Sequence, residues 1–248
     1  MIKLMKYELR KTLFVKLIVL AAAALAEIVF LIGVLGDRER MTGTGIVLLT
    51  MLAMGGIMVI GLASVVTLHR DVSTKQSYML FMTPNSSYSI LGAKMLENGL
   101  SILLAGACFF ALGALDITLL FAHEKRLDAL WNTIRSFLEQ FNEQITLDLP
   151  TMLSLAANLI CSWISTTAAM YLGVVIANAL LKGKRFSGFV SFLVIVALLW
   201  LIGYVQVETL DASVSIRTAY WADTGVALGF SVVMYFLAAQ IMERKLSV

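Results

Sequence analysis

The sequence predicts an all-α, polytopic membrane protein with six transmembrane helices, an N-terminal amphipathic elbow helix, and an outer amphipathic helix between spans three and four. Three observations predict it. Of the 248 residues, 60% are hydrophobic and only 14% are charged, whereas soluble domains carry about 25% charged residues. Lipid rather than water therefore has to solvate the apolar surface. Six stretches reach the roughly 20 apolar residues that cross a hydrocarbon core of about 30 Å. Only two prolines occur, which leaves long helices unbroken.

The expected spans are Leu17–Gly36, Gly45–Leu68, Met95–Ala122, Thr151–Leu181, Phe186–Gln206 and Thr224–Met242, within a single transmembrane domain covering 1–248. The third and fourth are long enough to tilt. Basic residues precede the first span, as in a signal peptide. The small residues Ala21–Ala24 lie in mid-run, however, and no cleavage site follows before Asp37, so this span is expected to be retained. Cys108 and Cys161 sit inside apolar runs without a metal-ligand spacing and read as core residues.

Lysine and arginine set the orientation. With the N-terminus inside, the inner segments carry Lys3, Lys6, Arg10, Lys11, Lys16, Arg70, Lys75, Lys94, Lys182, Lys184, Arg185, Arg244 and Lys245. The outer loops carry only Arg38, Arg40, Lys125, Arg126, Arg135 and Arg217. The positive-inside rule then places both termini in the cytoplasm. The net charge of +3 is small and spread among loops, which excludes a nucleic-acid surface.

Three segments outside the spans carry pattern. In 1–16, Ile2, Met5, Leu9 and Leu13 recur at helical spacing among basic residues, which predicts an elbow helix on the inner leaflet. In the inner loop 69–94, Tyr78, Phe81 and Met82 share a helix face, Pro84 ends that helix, and Asn85 or Ser86 caps the next. In the outer loop 123–150, Leu127, Leu130, Trp131, Ile134, Phe137, Leu138, Phe141 and Ile145 form an apolar stripe, so an amphipathic helix is expected at the outer face.

The chain lacks a phosphate-binding GxxxxGK[ST] loop and any HExxH or other metal spacing. Its histidines, His69 and His123, fall at span edges. No catalytic residue, resident cofactor or metal site is therefore expected, and an intrinsic hydrolase is disfavoured. Glu27, near the middle of span one, is the costly intramembrane group. It serves either as a proton, cation or substrate-path residue, or as a hydrogen-bonded contact with Asn158, Ser162 or Thr166 of span four. Asn178 is expected to make an ordinary interhelical hydrogen bond. Gly92, Gly99, Gly106 and Gly113 fall seven apart and line one face of span three, as a packing surface or a dimer seam.

The stretch MIKLMKYELRKTLFVK, Asp71, the helix expected over Ser73–Met82, the Leu80–Pro84 turn and Ser87–Lys94 together resemble the permease subunits of ABC-2-type transporters. The likeness extends through the span layout over nearly the whole chain. It departs where such permeases commonly have a glutamate and a glycine before the inner helix; Asp71 and Ser77 stand there instead. The resemblance, closest to small gram-positive peptide and drug exporter permeases, implies a bacterial cell-membrane location. It also implies a second permease subunit, identical or a sibling, and a separate cytosolic ABC ATPase that binds ATP and Mg. On that resemblance Arg70, Asp71, Lys75, Tyr78, Phe81, Met82 and Pro84 form the ATPase-coupling element. Amphipathic peptides or lipophilic drugs are the expected cargo. The alternatives are a proton-coupled secondary transporter using Glu27 and a membrane scaffold without transport activity.

Overall fold

The computed structural model describes residues 2–73, 86–123, 148–181, 186–209 and 215–246, together with 128, 131–136 and 139. Six helices follow in order: α1 (Ile2–Leu35), α2 (Glu39–Ser73), α3 (Ser87–His123), α4 (Leu149–Leu181), α5 (Ser187–Thr209) and α6 (Ile216–Ile241). A π-helical turn, Met242–Leu246, ends the series. All six helices are long and apolar enough to cross a membrane, and no strand occurs among the described residues. The chain is an all-α, multi-pass membrane protein.

The helices overrun the expected spans. α3 has 37 residues and measures about 55 Å, well beyond a hydrocarbon core of about 30 Å. Residues 2–16 of the basic segment are helical as expected, but they form the first turns of α1 rather than a separate elbow. No glycine or proline occurs in α1 before Gly33, so nothing interrupts the hydrogen-bond ladder between the basic segment and the span. Ser86 caps α3, its Oγ accepting from the Ser89 amide at 3.3 Å. In the outer loop, 131–136 are helical with Trp131 and Ile134 exposed, and Arg135 pairs with Glu139 one turn on at 3.0 Å.

Two compact units divide the chain. The first comprises Met1–Glu8, Ser64–Glu97 and Ile145–Val248; the second comprises Leu9–Ala63 and Asn98–Gln144.

In the first unit α4 is the central helix and packs on α5 and α6. Small buried residues permit close approach: Ala168, Ala169 and Ala177 on α4, with Ala238 and Ala239 on α6. Gly173 admits α5, since a Cβ there would stand 2.5 Å from Ile195 Cγ1 and 3.2 Å from its backbone nitrogen. Around these lie Tyr171, Leu172, Val174, Val175, Met234 and Met242. The outward face of α5 carries Phe189, Phe192 and Trp200, all exposed, as a lipid-facing surface requires. Trp200 stacks on Tyr204 at 5.7 Å, the kind of pair that favours a membrane boundary.

α4 begins at a charged cap. Asp148 precedes it, and its carboxyl is held below the usual carboxylate range, chiefly by a hydrogen bond from the Thr151 hydroxyl and further by the Thr151 amide and Arg217. A depressed acid stabilises the fold above its ordinary pKa of about 3.9 and loses that contribution as pH falls through the lower folded value. Amide exchange at Thr151 and Met152, corrected for its intrinsic pH dependence, should therefore quicken below about pH 4. Asp148→Asn should weaken that pH dependence.

The second unit is built on a hairpin of α1 and α2. Arg38 N–H donates to the Gly33 carbonyl at 2.9 Å and Gly36 N–H to Ile32 at 3.1 Å. Asp37 sits at φ 51°, a left-handed conformation that aspartate tolerates better than most residues. Gly33 lets the Thr42 backbone approach α1, and Gly45 does the same for Phe30 on the opposite helix. Ala26, Phe30, Val34 and Leu49 form the core.

Candidate functional site

Ionisable side chains buried in apolar helices are costly unless paired, so the described ones mark where structure or function requires charge. In the first unit they gather around Lys94. Its Nζ lies 2.5 Å from Glu8 Oε2 and 2.8 Å from Asp71 Oδ2, and only 1% of its side chain is exposed. Glu97, one turn further along α3, is equally buried. Three helices supply the cluster: Glu8 from α1, Asp71 from the end of α2, and Lys94 and Glu97 from the start of α3. Helical periodicity explains the placement, because Leu68, Asp71 and Val72 share the buried face of α2 while Arg70 lies on its exposed face.

Asp71 and Lys94, expected in a solvated inner loop, instead lie in helices and pair inside the protein. Residues 74–85 lie outside the described residues, and with them the expected coupling residues Lys75, Tyr78, Phe81, Met82 and Pro84. Arg70 is exposed in the last turn of α2.

Further hydrogen bonds join α2 to α4. Ser64 Oγ and Tyr171 Oη are 2.5 Å apart, and Asn178 Nδ2 lies 3.2 Å from His69 Nδ1, the interhelical bond expected of Asn178. Asn158 is also buried, and its Nδ2 donates to Asp223 Oδ2 of α6 at 2.7 Å.

Glu27 belongs to the second unit, and its partner is Asp116 of α3, with which its carboxyl shares a hydrogen bond. Within α4 of the first unit, Thr166 donates to the Ser162 carbonyl at 2.9 Å. Asp116 is 8% exposed. Glu27 Oε2 and Asp116 Oδ1 each have no hydrogen-bond partner among the described residues.

Asp116 also forms part of the wall of a cavity of about 310 Å³. Phe30, Leu49, Met54 and Phe109 supply most of the rest. A second cavity of about 290 Å³ lies between α1 and α3, where Lys16 Nζ donates to Ser101 Oγ at 2.6 Å.

The glycines at seven-residue spacing divide. Gly99 is buried and Gly92 half-buried, whereas Gly106 and Gly113 have nothing within 4 Å of where a Cβ would stand, among the described residues. Their neighbours on that face of α3 do pack on α2, Ile102 near Gly61 and Phe109 near Gly56, and Gly113 stands in the wall of the first cavity.

Asp116 and the Lys94 cluster are the residues that sequence reasoning missed. The signal for Asp116 was present, an acid inside an apolar run, as at Glu27. Glu97 carried the same signal at the start of span three. No group of three or more metal-ligating side chains occurs among the described residues. No protein-family model, curated protein or solved structure matches this chain.

Proposed function

We propose that this chain is the membrane-spanning permease subunit of an ATP-driven ABC exporter, working with a second permease copy or sibling and a separate cytosolic ATPase that binds ATP and Mg. The observation that carries this reading is the Lys94 cluster. It ties the N-terminal turns of α1 to the helix ends on both sides of the inner loop 74–85. A partner pressing on that loop would move three helices through one buried cation, which is what a coupling loop requires.

The excess of basic residues on the proposed inner side supports cytoplasmic termini and a bacterial cell-membrane location. The expected cargo is an amphipathic peptide or lipophilic drug, since the cavity walls of the second unit are almost wholly apolar.

The test is co-purification in mild detergent with candidate P-loop ATPases, comparing wild type with Tyr78→Ala/Phe81→Ala. An ATPase should bind wild type and be lost from the double variant, because interface aromatics carry most of the binding energy at such sites. Absence of any ATPase under all conditions would remove the proposal.

The Glu27–Asp116 pair favours a second reading, a proton-coupled secondary transporter. That reading requires transport to survive ATP depletion, collapse with the proton gradient, and fail in Glu27→Gln.

A further inference from the structure

We propose that the seam between α4 and α6 of the first unit, shut in this structure, parts from the end where both helices start and admits water as deep as Ser165. Asp223 makes the resulting crevice prefer cations. The device rests on these two helices alone and needs no ATPase, so it stands apart from the permease reading.

The seam changes character halfway along. Thr151, Ser154, Asn158 and Ser165 are buried and share one face of α4. The bond from Asn158 to Asp223 turns that face toward α6. Arg217 of α6 meets Asp148 before α4, and Asp223 meets Asn158 further in, so the two helices run parallel. From Thr151 to Ser165, which stands midway along α4, the polar stretch covers about 21 Å at 1.5 Å per residue. Beyond it the core is apolar: Leu172 and Val175 lie with Met234, Ala238 and Met242.

Small hydroxyl residues often join neighbouring membrane helices, but these turn back on their own. Ser154 Oγ donates to the Thr151 carbonyl and Ser231 Oγ to the Leu228 carbonyl, each at 2.8 Å. Two bridges cross the polar half, Arg217 to Asp148 at 3.8 Å at the mouth and Asn158 to Asp223 at 2.7 Å below it. Ser165 Oγ and Asp223 Oδ1 are buried with no hydrogen-bond partner among the described residues, and Ser165 is 1% exposed. A shut seam leaves both oxygens unsatisfied, whereas water entering an open one would satisfy them. The apolar stretch offers water no such partner, so the opening ends there.

Charge decides which solutes follow the water. α4 contains no charged residue, and α6 contains Arg217 in its first turn and Asp223 further in. The fixed charge inside the crevice is therefore negative, which raises the local concentration of cations.

The experiment uses full-length protein in lipid nanodiscs, which leave both membrane faces open to reagent, with Cys108 and Cys161 replaced by alanine. Ser154→Cys, Ser165→Cys, Leu159→Cys and Ala169→Cys are each treated with two methanethiosulfonates, the cationic trimethylammonioethyl and the anionic sulfonatoethyl reagent. Leu159 lies between the two serines in sequence but is exposed on the surface of α4, and Ala169 follows Ser165 by one turn and is buried. Ser154→Cys and Ser165→Cys should react with the cationic reagent at least tenfold faster than Leu159→Cys and Ala169→Cys. Asp223→Asn should lower the cationic-to-anionic rate ratio at Ser165→Cys at least threefold.

Rates at Ser165→Cys no higher than at Ala169→Cys would show a seam that stays dry, and would overturn the proposal. An unchanged rate ratio in Asp223→Asn would overturn it too, because the crevice would then lack its anion. A misfolded chain would expose Ala169→Cys as well, so it reads as failure rather than support.

Discussion

Lys94→Met should destabilise the protein by about 3–5 kcal/mol, the cost of leaving buried charges without their counter-ion. Glu8 and Asp71 both converge on this one ammonium, and the side chains are 1% exposed for Lys94, 5% for Glu8 and 7% for Asp71. Methionine keeps the length and apolar stem of lysine, so the loss reports charge rather than a cavity. The triple variant Glu8→Gln/Asp71→Asn/Lys94→Met should recover most of it, because removing a whole buried ionic group is often close to neutral. Unfolding by denaturing detergent, followed by helicity, measures both. A single variant as stable as wild type would mean that water reaches the cluster. Coupling to an ATPase, if the proposed function holds, should fail in the triple variant even where stability returns.

The second large effect is expected at the hairpin. A Cβ at Gly45 would stand 2.6 Å from Phe30 Cα and 2.8 Å from its backbone nitrogen. Backbone atoms cannot swing aside like a side-chain end, so the helices must separate. Gly45→Leu should therefore cost about 1–3 kcal/mol or more, as overpacking does. Gly55, on the same helix, has nothing within 4 Å of where a Cβ would stand, among the described residues. There Gly55→Ala should stabilise by about 0.5–1 kcal/mol, since alanine loses less backbone entropy in a helix than glycine. The contrast of sign between two glycines on one helix is the discriminating result. Equal effects would show that α1 and α2 do not approach at Gly45.

Much of the fold is legible in the amino-acid order. Apolar length locates six helices because a membrane span has few other solutions. The helix ends are less legible, since an apolar run reports the hydrocarbon boundary while the hydrogen-bond ladder continues through polar flanks. Glu39–Thr44 and Ser87–Lys94 are such flanks, and both are helical.

The candidate sites are legible only in part. Glu27 is conspicuous because nothing polar surrounds it in sequence, but its partner Asp116 is far along the chain and known only once α3 lies against α1. Asp116 stands close to the expected end of its span, where a carboxylate normally reaches water. Asp71 and Lys94 are misplaced by the sequence for a related reason. Charges beside a loop are usually solvated, and only the convergence of three helices buries them here.

The same cluster imposes an order on biosynthesis. The α1–α2 hairpin closes through contacts between near neighbours in the chain, so it can dock as soon as α2 enters the bilayer. At that stage Glu8 and Asp71 have been made without the cation that neutralises them. Lys94 follows Asp71 by 23 residues, and until it arrives the nascent chain holds acids whose shared partner does not yet exist. Those acids keep the lower ends of α1 and α2 in water rather than in lipid. Lys94 stands near the start of α3, so the acids gain their counter-ion before residues 95–123, the greater part of that helix, have been made.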